Sequence, residues 1–579
     1  MKHLSKAIIL PVALLLLLVT SCKDKNAIAV AESRFAHNYP EFDSQFFHNY
    51  IKEHLTNDSI LSPLYEVNEY TAIWTKDTLN TDALYEFIKI LEAADEHGLK
   101  ADQFSASEIK AIATALDSGA YKNNTDSLYT QLLALEKLSA RSILKYAAGM
   151  SYGFTDPKIL FGKDYDIVVS KPDSIFYNTL YQEISQNPVE VLSKYQPSAA
   201  IYAKLQDAYR EIKRLEEDSV HLGKITSGDA TYKLGDSNKH ITEIAERLMA
   251  TGEYKADSAT ADSLHRELNE ELLAAINAFR KKNSYLEDKE VGKPTIDALN
   301  RPFKYYKNKL AANMERYRWK RAKAKHNKHI EVNVASFMLE ATRADSLPLT
   351  MRVCVGKPEN KTPLLGSDIN YINLNPTWNI PKSIAQNEVA VLQKRDQNYM
   401  KKRNMRIFKG GKEVHLDSVD WKSINPTKFS YIIRQDPGYG NSLGLIKFMF
   451  NNNHSVYLHD TPSKSAFNRK VRAVSHGCVR VQKPFDLGVF CIAPASSKHF
   501  RDQLLFSVKR EPETKEGKKM AREGRLKKLP DIINISADDK ISLFIDYYTA
   551  FMYTGDKELY YADDIYGYDS IILKALSAI

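Results

Sequence analysis

The chain has 579 residues and a formal net charge of +9, with 43% hydrophobic and 26% charged residues. These fractions belong to a folded globular protein and exclude a disordered or collagen-like chain, and the length calls for several domains. The basic balance is mild and no basic-aromatic pattern accompanies it, so nucleic acid is not an expected partner.

Lys2, His3 and Lys6 precede an apolar run from Ala7 to Val19, broken only by Pro11, and the chain turns polar after Cys22. The run is short for a membrane span, which needs about 20 residues, and it reads as a cleavable export signal. Ser21 directly before Cys22 resembles a bacterial lipobox. That resemblance implies a lipid on Cys22, a mature chain beginning there, and attachment to a membrane. An ordinary signal cut nearby and an uncleaved anchor are the alternatives. The expected division is a signal over 1–21 and a tether over 22–60.

Three further cysteines remain, and an odd count in an exported chain points to a free thiol. Cys354 and Cys491 lie in apolar settings (Met351-Arg352-Val353-Cys354-Val355 and Val489-Phe490-Cys491-Ile492), where a buried inert thiol is the ordinary outcome. A disulfide between them stays open, since spacing does not decide it. Cys478 has polar and glycine neighbours instead.

Residues 61–235 read as packed helices carrying no chemistry. Thr81-Asp82 can cap a helix with Leu84, Phe87, Ile88 and Leu91 at helical spacing, and Gly98 supplies its stop. Leu132, Leu135, Leu138 and Ile143 mark a second helix, and Asp156-Pro157 breaks it. Over 240–302, Ile244, Ala245 and Leu248, then Ile276 and Phe279, then Val291-Gly292-Lys293-Pro294-Thr295-Ile296-Asp297-Ala298-Leu299-Asn300, resemble the small three-helix peptidoglycan-binding domain. A plain helical hairpin is the alternative. After Trp319 the apolar period becomes two. Ile330, Val332, Val334 and Met338 lead to a turn near Arg343, and Leu349, Met351, Val353 and Val355 return. An antiparallel β domain is therefore expected over 328–505. A polar Lys- and Asn-rich piece with helical character interrupts it at about 382–430, an insertion read as a lid. Residues 506–579 complete the fold with a solvated segment at Lys509–Lys528, a strand-like run from Ile541 and a terminal helix.

The chemistry concentrates in Ser475-His476-Gly477-Cys478-Val479-Arg480 and in Tyr457-Leu458-His459-Asp460. A free thiol is only a few per cent thiolate at neutral pH, so a nucleophilic cysteine needs a base. His459 shares a strand face with Tyr457 and can meet Cys478 if the two strands are neighbours. His476 is too close in sequence to be the obvious base and is given a supporting role. Gly477 lets the backbone bend, so that amides near it and Cys478 can face an oxyanion. Arg480 offers a two-pronged donor for a carboxylate. A structural thiol beside a turn histidine would explain either residue alone, not the joint pattern. No metal is expected: His-Glu-x-x-His and paired Cys-x-x-Cys are absent, and His326 and His329 lie in a Lys-rich linker. Gly410-Gly411-Lys412 lacks the other residues of a phosphate loop and reads as a turn.

These motifs, with Thr461-Pro462-Ser463-Lys464, Phe467-Asn468-Arg469, Leu374-Asn375-Pro376-Thr377-Trp378-Asn379-Ile380-Pro381 and Gly438-Tyr439-Gly440-Asn441-Ser442-Leu443-Gly444, resemble the large multidomain L,D-transpeptidases. The resemblance implies an α+β multidomain chain: an antiparallel β-sandwich catalytic domain with an inserted helical lid, a helical scaffold domain and a peptidoglycan-binding-like module. It implies Cys478 as nucleophile, His459 as base, Ser475, His476 and Gly477 in the oxyanion loop, and Tyr457, Arg480, Trp378 and Asn441 at the substrate. Asp460 stands where some relatives carry serine, which leaves a backbone carbonyl to orient His459. The implied reaction forms 3→3 peptidoglycan cross-links from tetrapeptide stems through a thioester, with release of D-alanine. It needs no cofactor and is carried out by a lipid-anchored monomer at the periplasmic face of the cell envelope. A wall-peptide hydrolase using the same residues, and a wall-binding lipoprotein without turnover, are the rival readings.

Overall fold

A computed structural model describes residues 33–218, 223–255, 267–322, 324–344, 346–425, 429–492 and 499–579. The signal and the Cys22 lipidation site lie outside the described residues, as does most of the stretch after Gly252.

The N-terminal third is helical. The helix Thr81–Glu92 buries Leu84, Phe87, Ile88 and Leu91, and its cap is Asn80, one residue before the expected position, whose side chain accepts from the Ala83 amide. A short 3₁₀ turn follows, and Gly98 closes it in the left-handed region at φ 70°. The long helix Thr125–Tyr152 ends at Gly153, while Asp156 caps the next short helix, Pro157–Phe161. Midway along the long helix, the buried Glu136 carboxylate accepts from the Tyr65 hydroxyl (2.7 Å) and from the backbone amides of Ile73 (2.9 Å) and Trp74 (3.0 Å). It supplies the loop at 73–74 with acceptors that the loop cannot find in its own backbone.

Helices Lys239–Ala250, Glu270–Lys282 and Lys293–Leu299 share an apolar cluster of their own, with Ile244, Leu248, Leu272, Ile276, Phe279 and Ile296 at its centre. The buried Arg280 donates to the Thr295 hydroxyl and to the Asp288 and Glu290 carbonyls, holding the turn before the last helix.

Helix Phe303–Arg318 joins these parts. Its Arg318 is paired with Glu315 and donates to Tyr202 and to the His97 carbonyl on the N-terminal side. Its Arg316 is paired with Asp569 of the terminal helix Tyr568–Leu576, and Lys309 donates to the Ala562 carbonyl (2.6 Å). Each of these cations is buried, and each has acceptors within reach, which is the condition for keeping a charge out of water.

The β domain is built on β2 (Lys328–Asn333), β3 (Met338–Arg343), β4 (Leu349–Gly356), β5 (Leu364–Leu374), β10 (Ile446–Phe450), β11 (Leu458–His459), β13 (Val479–Val481) and β15 (Ile541–Asp546), with β12 (Ala473–Ser475) beside β4 and β14 (Ile532–Asn534) beside β5. They pair in the order β5-β10-β11-β13-β4-β3-β2-β15, and β15 pairs again with β5. The expected antiparallel sandwich is thus replaced by a closed ring with two parallel joints, β11 with β13 and β15 with β2. Ring closure removes free sheet edges. β15 is buried at all six positions because it lies between β2 and β5 with both faces covered. The hairpin expected to turn near Arg343 contains an earlier turn at 334–337, with Phe337 at φ +57°, so three strands meander where two were expected. A two-residue strand β1 (Tyr165–Asp166), from the N-terminal region, adds to the outer edge of β5.

The insertion is only partly helical. After helical turns over Lys382–Arg395 it forms a four-stranded sheet, β6 (Trp378–Asn379), β9 (Ile432–Gln435), β7 (Met405–Lys409) and β8 (Lys412–Val414). Its own core contains Met405, Ile407, Trp421 and Ile433. Gly410 and Gly411, at φ 56° and 79°, make the two-residue turn between β7 and β8, a geometry that L side chains resist. The strands are short and their outward positions carry Lys and Arg, so the alternating pattern is thin.

Glu136→Ala leaves two buried backbone amides and a tyrosine hydroxyl without acceptors. It is expected to lower stability by about 3 kcal/mol, measured by denaturant unfolding, with the alkylation rate of Cys478 unaffected.

Candidate active site

The strands that carry the site are adjacent and parallel. Leu458 pairs with Val479 and His459 with Arg480, and the Val479 amide donates to the Tyr457 carbonyl (3.1 Å). Leu458, Val479 and Val481 point into the core. By the two-residue period of a strand, Tyr457, His459, Cys478 and Arg480 then share the opposite face. The pairing continues on both sides, with Lys447 of β10 opposite His459 and Cys354 of β4 opposite Arg480. One row across the sheet therefore reads Lys447, His459, Arg480, Cys354, with Cys478 and Tyr457 in the next row.

His459 is buried, and its Nδ1 lies against the Asp460 carbonyl oxygen at 2.5 Å. That carbonyl fixes Nδ1 as the donor nitrogen and leaves Nε2 as the acceptor. The Asp460 carboxylate is engaged elsewhere. It accepts from the Leu445 amide (2.9 Å), the Thr461 amide (2.7 Å) and Lys464 Nζ (2.5 Å). Gly444, at φ +64°, faces this carboxylate so closely that a Cβ would sit 2.4 Å from it. Asp460 thus braces the turn before β10.

Burial depresses the His459 imidazole to about 3, and the Arg480 charge adds to the effect. Burial also raises the Cys478 thiol above its ordinary value, against hydrogen bonds from Tyr457 and the charges of Lys447 and Arg480. The resting pair at neutral pH is therefore a neutral thiol and a neutral imidazole on one face of the sheet.

The loop holding the thiol is tied on several sides. The Ser475 hydroxyl donates to the Cys478 carbonyl (2.6 Å) and accepts from the Gly477 amide (3.1 Å). The Gly477 carbonyl accepts from the Thr362 hydroxyl (2.8 Å), which itself accepts from the Gly356 amide (2.8 Å). Gly477 sits at φ +115°, where an L side chain would be strained. Its amide is spent on Ser475 and that of Val479 on Tyr457, which leaves the Cys478 amide without a hydrogen bond among the described residues.

His476 meets the Glu388 carboxylate of the insertion through its Nε2. Trp378, at the root of the insertion, lies near enough to the Tyr457 hydroxyl to favour its ionised form, against the burial that raises it. The insertion thus touches the site at two points. Asn441, expected at the substrate, has backbone partners for its side chain. It is buried, its amide donates to the Pro376 (3.1 Å) and Asp436 (2.9 Å) carbonyls, and its oxygen accepts from the Leu443 amide (2.8 Å). With these groups satisfied by backbone, Asn441 pins the base of the insertion. Cys354 and Cys491 are buried free thiols, so the disulfide left open by spacing is not formed.

Lys447-Phe448 is among the residues that carry the resemblance, but the sequence reading gave no role at the site to Lys447. It is partly buried, with its ammonium 3.8 Å from the centre of the Tyr457 ring, and it makes no ion pair among the described residues. A lysine on a β-strand carries no signal of its own; the register places it beside the imidazole.

Residues 327–487 match the model of the L,D-transpeptidase catalytic domain (YkuD), and residues 59–208 match that of the scaffold domain. A Haemophilus influenzae protein named "Putative L,D-transpeptidase" is 30% identical over 327 residues, which are 56% of this chain and 61% of that protein. Among solved structures, L,D-transpeptidases from Stackebrandtia nassauensis and Xylanimonas cellulosilytica each align at 14% identity. They cover 45% and 44% of this chain and 88% of each of theirs, at TM-scores of 0.19 and 0.14, too low to bear weight. The chain thus carries an L,D-transpeptidase (YkuD) catalytic domain at 327–487 and a scaffold domain at 59–208.

Proposed function

We propose that the protein forms 3→3 peptidoglycan cross-links, with Cys478 as nucleophile and His459 as general base. The observation that carries this reading is the β11–β13 register, which gives the thiol and the imidazole one face of the sheet. The Cys478 proton passes to His459 Nε2 as sulfur attacks the carbonyl of the third stem residue, expected to be meso-diaminopimelate. The Cys478 amide is the free donor for the developing oxyanion. The C–N bond to D-alanine then breaks, His459 returns the proton to the leaving amine, and a thioester remains. The side-chain amine of a second stem attacks the thioester, its proton goes to His459, and the thiol is restored. Splitting the exchange into two acyl transfers lowers each barrier.

The insertion is proposed as the lid over this site, held by the Glu388–His476 and Trp378–Tyr457 contacts, with the role of keeping water from the thioester. The three-helix module at 240–302 is proposed to engage the wall. Lipid anchoring through Cys22 and a monomer at the periplasmic face complete the reading. Among the described residues no helix is long and apolar enough to cross a membrane.

Two measurements follow. With purified tetrapeptide stems, mass spectrometry is expected to find cross-linked dimers and free D-alanine for the wild type and neither for Cys478→Ala; tripeptide alone would mean hydrolysis. Alkylation of Cys478 by iodoacetamide is expected to rise by about tenfold per pH unit through neutrality, because the thiol titrates above its ordinary value and His459 is already neutral there. A plateau between pH 5 and pH 8 would instead reveal a preformed thiolate–imidazolium pair.

A further inference from the structure

Lys447 and Arg480 stand on either side of His459 in one row across three strands. Both are partly buried, and neither has an ion pair or a hydrogen bond to a carboxylate among the described residues. The nearest carboxylate in sequence, Asp460, is turned away toward Lys464 and the Leu445 amide. The Arg480 Nε is buried with no hydrogen-bond partner among the described residues. The ionisable groups that act on Arg480 are the thiols Cys354 and Cys478, and the one acting on Lys447 is Cys478, and burial favours the neutral form of both thiols. Burial makes each cation harder to keep charged, so the fold holds two desolvated positive groups with no acid of its own to offset them. Other buried cations among the described residues have acceptors: Arg316 is paired with Asp569 and Arg318 with Glu315, while Arg247, Arg280 and Arg472 donate to backbone carbonyls. An unmatched pair beside the nucleophile has the character of a site awaiting anions.

We propose that Lys447 and Arg480 form a two-cation clasp that takes a donor peptide carrying two carboxylates close to the scissile amide, Lys447 receiving one and Arg480 the other. This rests on the transpeptidase reading for the identity of the donor, though not for the clasp itself. A terminal residue such as D-alanine supplies one carboxylate; the second belongs to the neighbouring acidic part of the stem. The clasp makes the site selective for free-acid stems over stems in which one of those carboxylates is an amide. Lys447 is held by its contact with the Tyr457 ring until the carboxylate arrives.

The clasp can be tested without any peptide, by alkylating Cys478 with anionic iodoacetate and with neutral iodoacetamide. The wild-type ratio of the two rates is expected to exceed that of a free thiol and to fall with added salt. Lys447→Met is expected to lower the ratio by about fivefold, and Lys447→Arg to restore most of it. Parallel slowing of both reagents in Lys447→Met, with the ratio kept, would overturn the proposal and leave Lys447 a support for the thiolate alone. In a second arm, tetrapeptide is compared with the same peptide amidated at one carboxylate. Lys447→Met is expected to raise KM for the acid and to narrow its advantage over the amide; an unchanged preference would also overturn the proposal. A wild-type ratio favouring iodoacetate alongside a protein inert toward stems would keep the clasp and remove the transpeptidase reading, so the two failures are separable.

Discussion

The site depends on one parallel pairing of two short strands. β11 and β13 meet with His459 opposite Arg480, and all other placements follow from that register. Because side chains alternate along a strand, a slip of one residue would send the thiol, the imidazole and the guanidinium into the core and bring Leu458 and Val479 to the surface. The core side of the same strands resists that slip, since Leu458, Val479 and Val481 are fully packed. The geometry of the proposed site is thus secured by the burial of residues to which that proposal gives no chemical role.

The polar groups around the site reinforce the register. Ser475, Thr362 and Gly356 tie the thiol loop to the end of β4, and the Tyr566 hydroxyl adds a further link by donating to the Gly356 carbonyl (2.7 Å) and accepting from the Thr362 amide (3.0 Å). Tyr566 lies far along the chain, just before the terminal helix that Arg316 anchors. The C-terminal segment is therefore part of the support of the active loop, through a chain of hydrogen bonds from helix 303–318 to Gly477. The electrostatics have a different logic. His459 is kept neutral between two cations, and its donor nitrogen is satisfied by a carbonyl in place of a carboxylate, so no buried acid stabilises an imidazolium in the resting state.

Much of this was legible from residue order. The helices Thr81–Glu92 and Thr125–Tyr152 have strong apolar periods, and the Cys478 loop and His459 strand carry their chemistry in a few adjacent residues. What escaped was non-local. Ring closure depends on β15 finding β5 across more than half of the β domain, and no local pattern encodes that. The insertion's strands alternate, but over three to five residues with charged outward positions, and they pass for irregular chain. Asn441 sits in a glycine-rich motif that suggests contact with a ligand, yet its amide is consumed by the turn it stabilises. Lys447 is the opposite case, an ordinary strand lysine whose meaning comes from its neighbours on β11 and β13.

The claim at the centre is that sulfur takes an acyl group with the help of the imidazole on the same sheet face. The most direct measurement is intact-mass analysis of the protein after brief mixing with a defined tetrapeptide and no acceptor, with D-alanine counted in parallel. The account predicts a tripeptide adduct mapped to Cys478, one D-alanine released per adduct, and strong loss of both in His459→Gln. D-alanine release that persists in Cys478→Ala, or an adduct mapped to another residue, would contradict it.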